Sequence, residues 1–132
     1  MLKKMYPNVA FEIYSNNPIK YNNIKKIRCG TVKNWLSHIY NATIIITTSF
    51  HAIVFAILFH KQFVFVKYRN SRYYSRIENL FILLKITYVV VEISNNEDWV
   101  IPSLEYSEID KELESLKTQS FALIEDIKRR IV

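Results

Sequence analysis

An α/β domain with a parallel sheet is the fold class that three observations predict. Ile44-Ile45-Ile46 places β-branched apolar residues at consecutive positions, as a strand covered on both faces requires. The eight residues 52–59 are apolar throughout and lean to helix through Ala52, Ala56 and Leu58, and Phe63-Val64-Phe65-Val66 then reads as a second strand. Strand, helix and strand in so short a span form a tight βαβ unit, whose crossover should be right-handed.

The flanking segments extend the pattern in order. Residues 9–14 alternate weakly and stop at Asn16-Asn17-Pro18, so they read as an early strand followed by a polar connection. Trp35, Leu36, Ile39 and Tyr40 recur at helical spacing over 33–40, with Thr31 suited to cap the helix start. After a basic, tyrosine-rich loop, Ile77, Leu80, Phe81 and Leu84 predict a helix over 76–85, and 88–92 a further strand. Residues 95–102 read as a loop. Ile109, Leu113, Leu116, Leu123, Ile124 and Ile127 then lie along one stripe of a long closing helix over 107–130. There are no internal repeats or linkers, so 1–132 is expected to form a single α/β domain.

Charge is distributed unevenly. Residues 1–76 hold twelve Lys/Arg against the single acid Glu12, whereas 77–132 hold six Lys/Arg and eleven Asp/Glu. A basic lobe of this kind suits an anionic partner such as a phosphorylated substrate, a nucleic acid or a membrane surface, and it also suits a plain solvated face. Cys29 is the only cysteine, which excludes an internal disulfide and a multi-cysteine metal site and fits a reducing cytoplasm. The opening residues lack the apolar core of a signal peptide. Residues 43–66 are the most apolar region, but Thr47-Thr48-Ser49, His51 and His60-Lys61-Gln62 interrupt it, so no integral membrane span is expected. The three scattered histidines make no metal site, and no cofactor is expected.

Any active site should centre on 47–51. In an open parallel sheet, ligands bind beyond the carboxyl ends of the strands, where loops enter helix N-termini. The turn Thr47-Thr48-Ser49-Phe50-His51 sits at such a place. Backbone N–H groups and the helix dipole attract a phosphate or carboxylate there, and the hydroxyls of Thr48 and Ser49 can add hydrogen bonds. An ordinary N-cap is the plainer reading of the same residues. His51 heads an apolar helix, where it is either a satisfied core histidine or a chemical group. A helix N-terminus disfavours an imidazolium whereas a bound phosphate dianion favours it, so protonation would couple to ligand binding and suit a general acid. Lys67, Arg69, Arg72 and Arg76, interleaved with tyrosines, follow the next strand and should reach the same sheet edge as anion clamps. Their residue mix also occurs on nucleic-acid surfaces, but no nucleic-acid motif accompanies it and nucleic acid is not the expected partner. His38 and His60 read as structural or solvated.

Asn34-Trp35-Leu36 through Asn41-Ala42, then Ile46-Thr47-Thr48-Ser49-Phe50-His51-Ala52-Ile53-Val54-Phe55-Ala56-Ile57, resembles the polysaccharide pyruvyl transferases. The resemblance continues through Gln62-Phe63-Val64 and residues 70–80, and the closing helix is similar in kind. It spans roughly 31–131 and is strongest over 41–66. It implies a Rossmann-like, carboxyl-terminal half of a two-domain GT-B enzyme that moves a pyruvyl group from phosphoenolpyruvate onto two hydroxyls of a sugar in a cell-surface polysaccharide. A mechanism that fits protonates the enol carbon, lets one hydroxyl attack, and expels phosphate as the second closes the ketal. His51 matches the family's signature histidine. Many members carry an Arg where this chain has Ser49, so anion binding falls to Arg76, with Lys67 and Arg72 as helpers. Ala52 stands where a Gly is common.

By length the chain resembles one half of such an enzyme, acting in exopolysaccharide biosynthesis in the cytoplasm or at the inner membrane surface. A separate amino-terminal half is then an expected partner beside donor and acceptor. Two rivals stay open: a nucleotide-sugar glycosyltransferase half-domain, and a non-catalytic module that binds nucleic acid or another anionic polymer.

Overall fold

The computed structural model of the chain describes residues 8, 10, 12–14, 25–27, 30–67, 74–87, 90–92 and 103–131. Their elements are β1 (Glu12–Tyr14), β2 (Lys25–Ile27), α1 (Val32–Asn41), β3 (Ile44–Thr47), α2 (Phe50–Leu58), β4 (Gln62–Lys67), α3 (Ser75–Leu83), β5 (Val90–Glu92) and α4 (Tyr106–Ile131). The expected α/β alternation is present from α1 onward. The loop expected over 95–102 lies outside the described residues.

Strands β3, β4 and β5 form a parallel sheet in that order, with Thr47 opposite Phe65 and Phe65 opposite Val90. Each connection carries a helix, as parallel neighbours demand. A second, two-stranded parallel sheet pairs β1 with β2. Strand β2 was not expected: a three-residue element beginning Lys25-Lys26 reads as polar connection. Glu12 ties this small sheet to α1, accepting from Lys25 Nζ at 2.9 Å and meeting His38 Nδ1 at 3.2 Å. The Lys25 ammonium, and then His38, hold the Glu12 carboxyl below its usual range. That contact is made at neutral pH and fades as pH falls through the depressed value.

The core lies on one face of β4. Phe63 and Phe65 alternate onto it and pack with Ile53, Ala56 and Ile57 of α2 and with Ile77 and Phe81 of α3. Val64 and Val66 are buried as well, so β4 is the strand covered on both faces. The same coverage was expected of Ile44-Ile45-Ile46, but Ile46 is 39 % exposed and β3 ends the sheet order. Composition makes both segments strands; position in the sheet decides which one is enclosed. Helix α2 is apolar on nearly every side because it is sandwiched. Its inner residues meet β4, while Phe55 receives the edge of Trp35 at 5.6 Å between ring centroids and Phe59 that of Tyr40 at 5.4 Å, both from α1. Helix α1 starts as expected, with Thr31 Oγ1 accepting from the Asn34 N–H at 3.2 Å.

Helices α2 and α3 end alike. In each, one residue enters the left-handed region, His60 at φ 52° and Lys85 at φ 53°. The N–H of Lys61 reaches Ala56 O and that of Ile86 reaches Phe81 O, at 2.8 and 2.9 Å, the two long closures of paired Schellman turns. Neither left-handed residue is glycine, and both reach across to α4: His60 Nε2 lies 3.1 Å from Asp110 and Lys85 Nζ 2.5 Å from Glu112. Lys85→Gly is expected to raise the urea midpoint slightly, since relief of the left-handed strain outweighs an exposed ion pair. His60→Gly should not, because it also removes a ring stacked on Tyr106 at 4.7 Å. Urea denaturation of both variants checks the contrast.

Helix α4 docks by its first half. Gln62 bonds Leu104 in both directions, Oε1 accepting from the Leu104 N–H at 2.7 Å and Nε2 donating to its carbonyl at 3.3 Å. The Tyr106 hydroxyl donates to Lys61 O, and burial together with nearby Asp110 pushes its pKa up. Ile109 is buried, and Leu113 and Leu116 pack on the core. The stripe expected to close the domain ends its contact there: Leu123, Ile124 and Ile127 are 46–61 % exposed. Among the described residues, no helix is long and apolar enough to cross a membrane.

Candidate functional site

The carboxyl edge of the sheet gathers the ends of β3 and β4 and the starts of the helices that follow them. Helix α2 begins three residues after β3 closes. Thr47 Oγ1 accepts from the Ser49 N–H at 3.0 Å, and Ser49 Oγ accepts from the Ala52 N–H at 3.4 Å. Ser49 is therefore the N-cap, and the plainer reading of this residue holds: its hydroxyl already serves the helix. Thr48, between these two hydrogen-bonded turns, is exposed.

His51 is exposed, which rules out the core-histidine reading. Its ring stands edge-on to Phe50, 5.8 Å between centroids and 81° between planes. Phe50 in turn lies under the Arg76 guanidinium, which is 5.8 Å from its centroid. Arg76 comes from the first turn of α3. The fold thus sets a cation from one helix start and an imidazole from another against the same aromatic ring. Such a cation–π contact orients the planar guanidinium while leaving its N–H groups free to bind.

Lys67, expected as an anion clamp, stands beside a carboxylate. It ends β4, and its ammonium lies 2.5 Å from Glu78 Oε1 on α3. Glu78 sits in the first turn of α3, where a carboxylate is favoured by the dipole, and it supplies the countercharge that the clamp was expected to find in a ligand. Arg72 lies outside the described residues, as does Arg69. His38 and His60 are structural as expected, each set against a carboxylate. Among the described residues, no three His, Cys, Asp or Glu side chains converge as a metal site.

Phe50 and Glu78 were not singled out by the sequence. Phe50 belongs there to the turn over 47–51 without a role of its own, and nothing in a spacing of eleven residues links Glu78 to Lys67. An aromatic residue directly beside the histidine at a helix start was the one available signal.

The model of one known family, described as polysaccharide pyruvyl transferase, matches residues 1–70 of the chain. No match was found among curated proteins or solved structures. The matched stretch contains 41–66, where the resemblance is strongest, together with Thr48, Ser49, His51 and Lys67. It also takes in the first thirty residues, which the resemblance had left aside. Arg76 and α4 lie beyond it, so Arg76 enters the site by geometry. With more than half its residues matched, the chain belongs to the polysaccharide pyruvyl transferase family.

Proposed function

We propose that the chain forms the donor-binding wall of a polysaccharide pyruvyl transferase, a single domain like the carboxyl-terminal half of a GT-B enzyme, with phosphoenolpyruvate held across Phe50 by His51 and Arg76. The observation that supports this reading is that Arg76 and His51, from two helix starts at the carboxyl edge of the sheet, both contact the Phe50 ring, within a family described as polysaccharide pyruvyl transferase.

The chemistry asks for two kinds of group. Phosphoenolpyruvate carries a phosphate and a carboxylate, and a guanidinium grips either one by two parallel N–H bonds. Arg76 supplies that grip, and the start of α2 with the Thr48 hydroxyl supplies further donors; Ser49 contributes as the cap that keeps this helix start in place. Lys67 can turn from Glu78 to the ligand, and Arg72 belongs to the same basic loop. The reaction needs a proton at the methylene carbon, and His51 donates it. The adjacent carbon becomes electrophilic, one sugar hydroxyl adds and loses its proton, and the second displaces phosphate to close the ketal. A hydroxyl-bearing sugar of a polysaccharide repeat unit is the acceptor. A separate amino-terminal half completes the acceptor side, working with this chain in the cytoplasm or at the inner membrane surface.

Thermal unfolding with millimolar phosphoenolpyruvate tests the donor site. The wild-type midpoint is expected to rise and the rise to shrink in His51→Ala. No rise in the wild type would sink the reading. A rise with nucleotide sugars alone would assign the site to a glycosyl donor, and salt-sensitive DNA or RNA binding without any phosphoenolpyruvate effect would assign it to a binding module.

A further inference from the structure

Helix α4 continues beyond the domain that anchors it. From Lys117 to Ile131 every residue is exposed. These fifteen residues run for about 22 Å at 1.5 Å per residue. Their apolar members are large: Phe121, Leu123, Ile124, Ile127 and Ile131 are 46–79 % exposed. At 100° per residue, Leu123, Ile124, Ile127 and Ile131 fall on the same helix face as Ile109, Leu113 and Leu116, which pack on the core. The face that docks the first half thus runs straight on past the edge of the domain.

That collinearity limits what can cover it. A flat membrane would have to lie against the very side from which this chain's own domain projects. A parallel second copy would bring two domains into the same space, since each lies on the inner side of its own helix. An antiparallel second copy meets neither obstacle: the free half of each helix lies along the free half of the other, and the two domains sit at opposite ends. Charge favours the same arrangement. The docked half of α4 is acidic, with Glu108, Asp110, Glu112 and Glu114 against Lys111, while the free half is net basic, with Lys117, Lys128, Arg129 and Arg130 against Glu125 and Asp126. Antiparallel pairing brings each basic tip towards the acidic docked half of the other copy.

We infer that the free half of α4 is a self-association surface, on which two copies of this chain clasp antiparallel through Leu123, Ile124, Ile127 and Ile131. Ser120 fits the seam, because its hydroxyl is satisfied by the Leu116 carbonyl at 2.8 Å and its small side chain lets the helices approach. A pair of such short helices covers an area at the low end of stable interfaces, so association on the order of micromolar is expected. The inference does not depend on the donor-site reading.

Sedimentation of the full chain across roughly 1–300 μM brackets that range. The mass is expected to rise from 15.8 kDa towards twice that value. Leu123→Glu/Ile127→Glu is expected to stay monomeric with unchanged helical circular dichroism. In a Cys29→Ser background, Ile124→Cys should cross-link to its counterpart under mild oxidation, while Ile131→Cys should not, because antiparallel tips lie far apart. A monomer throughout overturns the inference, as does a dimer that survives the double substitution. Cross-linking at position 131 overturns it equally, by showing parallel pairing.

Discussion

Phe65→Ala is expected to lower stability by about 3–5 kcal/mol, the range for emptying a fully buried aromatic site. Phe65 is 0 % exposed in the middle strand, and its ring meets Tyr74 at 5.0 Å and Phe81 at 5.9 Å. A loss of this size is a large part of the stability of an ordinary domain, about 5–15 kcal/mol, so the urea midpoint of the variant should fall far below that of the wild type. Leu58→Ala is the control. Leu58 lies on α2 and is 52 % exposed, and its truncation should cost well under that figure. Urea denaturation followed by circular dichroism separates the two. Phe65 also bears on the site. It faces Thr47 across the β3–β4 register, and Tyr74, which it packs, immediately precedes α3 and Arg76. Loss of the ring therefore loosens the element that carries the guanidinium as well as the core.

Arg76→Ala is expected to weaken phosphoenolpyruvate binding by tenfold or more, as the loss of a charge-assisted bidentate contact of roughly 1.5–3 kcal/mol implies. Stability should change little, because Arg76 is exposed and its one described contact is with the Phe50 ring. Arg76→Lys should recover only part of the affinity, since an ammonium is a point charge without the planar fork that stacks on an aromatic face. Isothermal titration of the three proteins measures both differences. Full recovery by lysine would show that charge alone, and not the stacked geometry, holds the ligand.

The elements of the fold were legible from α1 onward because each carries a local signal. Thr31 caps where a cap was expected, and the two apolar runs around His60 became a helix and a strand within a residue or two of their expected limits. Three features were not legible, and each depends on what lies next to a segment. Ile44-Ile45-Ile46 and Phe63-Val64-Phe65-Val66 look alike as sequence, but only the second is enclosed by neighbours on both sides. Strand β2 is recognisable only once β1 lies beside it. The stripe on α4 has one period along its length, yet only its first half finds a core to cover.

The site shows the same division. The turn over 47–51, with His51 as its chemically distinctive residue, could be read locally, from a polar turn between an apolar strand and an apolar helix. Arg76 could be set near the same sheet edge but not against a particular neighbour, because 68–73 intervene in the sequence between β4 and α3. Its position over Phe50 is a matter of packing between two helices. The pairing of Lys67 with Glu78, on the next helix, was hidden for a similar reason.

A double-mutant cycle on phosphoenolpyruvate affinity, comparing wild type, His51→Ala, Arg76→Ala and the double variant by titration calorimetry, tests the central claim most directly. If the two side chains hold one anion across Phe50, their effects are non-additive, with a coupling of about 1 kcal/mol or more. Strictly additive effects, or a wild-type protein that binds no phosphoenolpyruvate, would contradict it.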